Sequence, residues 1–151
     1  MDRTGWAEAA IRDHKITSLS AASLRGRRVL VAEDEPIIAL DLATTLEGAG
    51  AEVIVVHTLQ NAISVARVEK LSVAITDLRL KDELSYPLCA LLQCRDIPFA
   101  IYTGYDSLNC KYNRCIIPKP TAANLIVERL AILTRNRPEK SIGHSFAVMG
   151  R

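Results

Sequence analysis

Val29-Leu30-Val31-Ala32-Glu33-Asp34-Glu35-Pro36 is the stretch that decides the fold. A short apolar run bounded by charge reads as a buried strand. Pro36 then suits the first turn of a helix. The acids therefore stand where a strand stops and a helix begins. The same event recurs three times: Val73-Ala74-Ile75-Thr76 runs into Asp77, Phe99-Ala100-Ile101-Tyr102 into Thr103-Gly104, and Cys115-Ile116-Ile117 into Pro118-Lys119-Pro120.

Between these points the apolar periodicity is helical. Ile37, Ile38, Leu40, Leu42 and Leu46 supply the apolar face of the first helix, which Gly48 and Gly50 punctuate. Val53-Ile54-Val55-Val56 reads as a second strand, and Thr58 as the N-cap of a helix through Ala62, Ile63, Ala66 and Val68. A polar loop from Arg79 to Ser85 leads to a helix marked by Leu88, Leu91 and Leu92. Thr121 is placed to cap a last helix carrying Leu125, Ile126, Leu130 and Leu133.

Near-continuous apolar strands alternating with helices predict a parallel sheet covered on both faces. Five such units predict an α/β, flavodoxin-like, doubly wound five-stranded sheet of order 2-1-3-4-5. The first, third and fourth strands are then neighbours, and Asp34, Asp77 and Thr103 converge at one sheet edge. Only the segment from Gly104 to Arg114 joins the fourth and fifth strands. It is too short for a full helix with two loops, so a shortened fourth helix of one or two turns at most, or an irregular mobile segment, is expected there.

Composition fits one globular domain. Hydrophobic residues make up 49% of the 151 and charged residues 24%. No apolar run reaches bilayer length and no apolar leader opens the chain, so a cytoplasmic protein without membrane insertion is expected. The net charge of +2 hides an acidic centre between basic ends. An acidic domain argues against nucleic-acid binding. Residues 27–134 form the expected domain, preceded by a weakly helical or disordered extension (1–26) and followed by a disordered basic tail (135–151). Residues 4–16 alternatively form a partner-docking helix. Cys89, Cys94, Cys110 and Cys115 contain no C-x-x-C pair and read as reduced thiols, with a structural disulfide or metal as the alternative.

The converging residues suit phosphoryl transfer. A carboxylate can accept a phosphoryl group as an aspartyl phosphate, and Asp77 is the candidate. The reaction needs positioning and charge neutralisation above all. Asp34 and Asp77 would bind Mg2+ directly and Glu33 through a water, since this ion favours carboxylates and water. Lys119 would neutralise a phosphoryl oxygen as a point charge. The Thr103 hydroxyl would donate to another, and Gly104 leaves room for the donor. Each signal alone is an ordinary cap or turn; their joint occurrence at strand ends carries the reading.

Val29 to Pro36, Thr76-Asp77 and Ile117-Pro118-Lys119-Pro120 resemble the receiver domain of two-component response regulators. The resemblance covers roughly residues 27–134. It implies a single-domain response regulator that takes a phosphoryl group on Asp77 from a sensor histidine kinase, with the Arg79 main-chain carbonyl as a further Mg2+ ligand. Such a protein is no enzyme beyond its own phosphorylation and dephosphorylation. It signals through contacts with an unidentified downstream protein or serves as a phosphate sink. Ser85-Tyr86-Pro87 and Pro98 to Tyr105 are similar to the alphaproteobacterial single-domain receivers named for a Phe-Ala-Thr-Gly-aromatic signature, with Tyr102 where that signature has a small residue. That likeness implies an HWE-type kinase.

Two departures from the receiver pattern matter. Ile116 stands where receivers have a switch aromatic, three residues before the lysine. The compressed segment 104–114 removes most of a common output helix, so an order–disorder switch is expected there. Arg79 and Tyr105 flank the expected path of attacking water, either as shields of the acyl phosphate or as solvated loop residues. A phosphorylation-independent adaptor is the alternative function. A phosphatase of the haloacid-dehalogenase type would want an acid where Arg79 stands.

Overall fold

The computed structural model describes residues 24–104 and 111–136. Seven strands and four α-helices are defined among them. The strands are β1 (Arg28–Ala32), β2 (Glu52–Val56), β3 (Val73–Thr76), β4 (Arg79–Leu80), β5 (Glu83–Leu84), β6 (Phe99–Thr103) and β7 (Ile116–Pro118). The helices are α1 (Pro36–Gly48), α2 (Leu59–Val68), α3 (Tyr86–Cys94) and α4 (Ala123–Arg135). Five strands make one parallel sheet in the order β2-β1-β3-β6-β7. That is the expected 2-1-3-4-5 arrangement once the small hairpin β4–β5 is set aside.

Alternation along each strand builds two cores. Successive side chains of a strand point to opposite faces. Leu30, Ala32, Ala74, Phe99 and Ile101 therefore face one way and pack with Ala62, Ala66, Leu88 and Leu92 of α2 and α3. Val29, Val31, Val73, Ile75, Ala100, Tyr102 and Ile117 face the other way, against Leu42, Leu46, Ile126, Val127 and Leu130 of α1 and α4. Leu24 is fully buried in this second cluster, so packing begins before Arg27.

Pro36 is the first residue of α1, as its fixed φ favours. The buried side of that helix differs from expectation. Ala39, Leu42, Ala43 and Leu46 face the sheet, whereas Ile37 and Leu40 are 82% and 68% exposed. Helix α1 is apolar around most of its circumference, and the small alanines turn inward where the helix approaches the strands. Gly50 has φ +94°, and a Cβ there would sit 3.0 Å from Arg25 Cα, so its turn requires glycine. Thr58 caps α2 as expected, accepting from the Asn61 N–H at 3.2 Å.

Three local readings are corrected. Arg79 to Ser85 is not an irregular loop but an antiparallel hairpin, with Arg79 opposite Leu84 and Leu80 opposite Glu83. Lys81 turns it in the left-handed region at φ +57°, and the Ser85 N–H donates to the Leu78 carbonyl at its base. Thr121 does not cap α4: Ala122 is the N-cap residue, and the Thr121 hydroxyl donates back to the Pro118 carbonyl. Leu125 is exposed, and Val127 and Ala131 join Ile126 and Leu130 in the core.

In the described part of the compressed connection, Asn113–Cys115 forms a single 3-10 turn. Tyr112 is buried just before it, with its ring 5.4 Å from that of Phe99 and 5.8 Å from that of Tyr86. Among the described cysteines, Cys89 is buried, Cys94 exposed and Cys115 between; none is in a disulfide. No described helix is long and apolar enough to cross a membrane.

Candidate phosphoryl and metal site

The three central strands deliver their terminal residues to one edge of the sheet. Glu33 and Asp34 follow β1, Asp77 follows β3, and Thr103 ends β6. Two bonds beyond the strand ends hold the acids: Glu33 N–H donates to the Val56 carbonyl at 3.0 Å, and Asp77 N–H to the Ala32 carbonyl at 2.9 Å. Lys119 lies just past β7, and its N–H donates to the Thr103 carbonyl at 3.0 Å. The Lys119–Pro120 peptide is cis.

Glu33, Asp77 and Thr103 are buried, and Asp34 is half-buried. Oxygens of Glu33, Asp34 and Asp77 all lie within 4.8 Å of one another. Buried like charges at that range repel strongly unless a cation stands among them. The Lys119 Nζ fills that role, 2.7 Å from Asp77 Oδ2 and 2.9 Å from Glu33 Oε2. Its side chain is 17% exposed.

Burial pushes the Glu33 carboxyl above its ordinary value, against the pull of its hydrogen bonds from Lys119 and the Glu35 N–H. Burial works to lower Lys119, but its bonds to Asp77 and Glu33 outweigh that and hold the amine above the usual lysine value. The amine is therefore a cation, locked to the acids.

Main-chain N–H groups meet each of the three acids as well, the Glu35 N–H donating to Glu33 Oε1 at 3.2 Å. The Lys81 N–H donates to Asp34 Oδ2 at 2.9 Å, so the left-handed turn of the hairpin fixes the second acid. The Arg79 N–H lies 3.4 Å from Asp77 Oδ1, at the long end of hydrogen bonding. His57 Nδ1 sits 2.8 Å from the Glu33 carbonyl. Neither Lys81 nor His57 is marked in the sequence. Both act through tertiary contacts that no local pattern reveals.

Of the expected residues, Glu33, Asp34, Asp77 and Lys119 are in direct contact or close approach. Thr103 is joined to Lys119 through the main chain. Gly104 adjoins it, since a Cβ there would stand 3.8 Å from Lys119 Cβ. Arg79 is exposed on β4, two residues beyond Asp77 along the chain. Tyr105 lies outside the described residues. Ile116 is half-buried on β7, where an apolar side chain has no hydroxyl to swing toward Thr103.

Chemically this is a buried carboxylate beside a fixed ammonium and two further acids. The three carboxylates fit a hard divalent cation such as Mg2+, which takes oxygen ligands in a small shell.

Compared by sequence, the chain matches no family model and none of the curated proteins. Its structure is similar to many solved ones. A response regulator receiver protein from Sinorhizobium medicae superposes with a TM-score of 0.69 at 23% identity, over 74% of this chain and 96% of that one. A CheY-like receiver domain from Methanospirillum hungatei gives 0.68 at 22% identity, over 74% and 95%. The receiver domain of a sensor histidine kinase from Pseudomonas aeruginosa gives 0.65 at 19%, over 73% and 98%, and that structure has a magnesium ion coordinated in its active-site cleft. With its strand order, its acids at the carboxyl edge and its lysine after the last strand, the chain adopts the fold of the CheY-like response regulator receiver domains.

Proposed function

We propose that the chain is a response regulator that accepts a phosphoryl group on Asp77 from a phosphohistidine of a sensor kinase, with Mg2+ as cofactor. The observation that carries this reading is the Lys119 ammonium held 2.7 Å from Asp77 Oδ2 inside a cluster of three acids. In the transfer, the bond from phosphorus to the imidazole nitrogen breaks and a bond to an Asp77 carboxylate oxygen forms. The imidazole, carrying a proton on its other ring nitrogen, leaves on the kinase as the neutral ring. Asp34, Asp77 and the Arg79 carbonyl would hold Mg2+ directly and Glu33 through a water, and the ion would neutralise phosphoryl charge. Lys119 supplies the rest as a point charge beside Asp77. Thr103 donates to a phosphoryl oxygen, and Gly104 leaves the entrance open. Arg79 and Tyr105, two residues beyond Asp77 and Thr103 in the sequence, would shield the acyl phosphate from water.

The signal then passes by altered protein contacts in the cytoplasm, or the protein drains phosphoryl groups from its kinase. Kinases of the HWE type are the first to screen, on the resemblance of the stretch from Pro98 to Tyr105. The test is intact-protein mass spectrometry after incubation with Mg2+ and acetyl phosphate. A phosphoryl adduct on wild type and none on Asp77→Ala is expected. No adduct from acetyl phosphate or from any screened kinase, with Mg2+ binding absent as well, would overturn the reading in favour of a binding-only adaptor.

A further inference from the structure

Lys119 has a third partner that the transfer chemistry does not use. Its Nζ lies over the ring of Tyr102, 5.2 Å from the centroid. Tyr102 precedes Thr103 on β6 and points to the α1 and α4 face, packed among Ile117, Ile126 and Val127. Its ring is almost wholly buried, with 9% of the residue exposed. We propose that Tyr102 is the positioning residue of Lys119, its ring face holding the ammonium in place to meet a phosphoryl oxygen on Asp77.

The physical case starts from the lysine. An ammonium is a compact charge on a flexible stem and has no preferred direction of its own. Whatever fixes it must surround it. Two carboxylates draw it from one side, through Asp77 Oδ2 and Glu33 Oε2. An aromatic face carries partial negative charge and attracts a cation within about 6 Å, more strongly when water is excluded. Here both partners are largely buried. The carboxylate contacts change when Asp77 is esterified to phosphorus, because the oxygen that forms that bond loses much of its charge. The ring contact is untouched by that step. Tyr102 thus holds the lysine on both sides of the reaction, which an aliphatic residue of similar bulk would not do.

This proposal deepens the phosphoacceptor reading, yet its test needs no phosphoryl chemistry. In the metal-free full chain, phenylalanine and its difluoro and trifluoro analogues are installed at position 102 by nonsense suppression. Fluorine drains the ring face of charge while leaving its shape nearly the same. Acetylation of Lys119 by limiting acetic anhydride is read by mass spectrometry against exposed Lys70. Tyr102→Phe is expected to stay within about two-fold of wild type, with labelling then climbing along the series by roughly two- to thirty-fold. Labelling that climbs with fluorine content reports the charge of the ring face, as a packing role alone would require no response to fluorine. A flat labelling series overturns the proposal. Should the phenylalanine host not fold, difluorotyrosine at position 102 against wild type makes the same comparison. Beryllofluoride affinity, measured with Mg2+, should fall along the same series while Mg2+ affinity does not. Failure of every form, wild type included, to take beryllofluoride would count against the phosphoacceptor reading, and the labelling series would still decide the role of Tyr102.

Discussion

Replacing Lys119 with methionine would remove the cation that bridges Glu33 and Asp77 and leave most of the side-chain bulk. Glu33 and Asp77 would then be buried carboxylates without their ion-pair partner. Breaking such a pair by deleting one member costs about 3–5 kcal/mol. The lower end applies here, because Lys119 keeps 17% exposure and Asp77 retains a long contact to the Arg79 N–H. For a domain of this size, about 3 kcal/mol lowers the melting temperature by roughly 10 °C. Two conditions should rescue the variant. Glu33 is raised above its ordinary value first by burial, with the Lys119 bond opposing, so without Lys119 it rises further. A raised carboxyl takes up its proton sooner in the folded chain than in the unfolded one. The variant should therefore regain stability as pH falls toward the ordinary carboxylate range. Mg2+ should also restore it, since a ligand bound only by the folded state adds about 1.4 kcal/mol for each tenfold rise above its dissociation constant. Urea unfolding in chelator and in excess Mg2+, at neutral and mildly acid pH, is the assay. A loss under about 1 kcal/mol in chelator, or equal Mg2+ stabilisation of variant and wild type, would refute the view that Lys119 neutralises the cluster.

Wild-type protein should lose stability at alkaline pH beyond what Lys119→Met loses. Lys119 is held above the ordinary 10.5, so its contribution is complete below that value and disappears as pH rises through the higher folded one; unfolding curves of both proteins in chelator across that range check it. Thr58→Ala removes the N-cap bond of α2 and should cost about 1 kcal/mol by urea unfolding, with Thr58→Ser recovering most of it. Tyr112→Ala deletes the ring that joins Phe99 to Tyr86 and should cost about 3–5 kcal/mol; a change below that range would mean the site collapses readily around the gap.

The strands were legible because a parallel sheet buries both faces. Val29 to Ala32 and Val73 to Thr76 are apolar on every side, and such runs have few other homes. The strand order followed from the number and spacing of the units, and with it the convergence of Asp34, Asp77 and Thr103. Helix α1 was misread on its buried side because hydropathy is blind to fit. Ile37 and Leu40 outrank Ala39 and Ala43 on any apolar scale, yet the alanines are what a close helix can tuck against strands. The hairpin β4–β5 was hidden because its strands are two residues each and its turn uses Lys81, not glycine or asparagine, in the left-handed region. The contacts of His57 with Glu33, Lys81 with Asp34 and Tyr102 with Lys119 join residues distant in the chain. No periodicity encodes them, and only the folded register brings them within reach.

Strand β7 has a consequence for strand pairing between copies of this chain. It is the outer strand of the sheet, only Ile116–Pro118 long, and closes on a residue with no N–H to offer. An open sheet edge is a template on which another chain can add a strand. Here the template is too short to seat one, and proline removes a rung from what remains. The opposite border, β2, begins with exposed Glu52, whose carboxylate is engaged by Arg28 of the neighbouring strand. The β7 border is therefore the poorer of the two seeds for cross-molecular β-pairing.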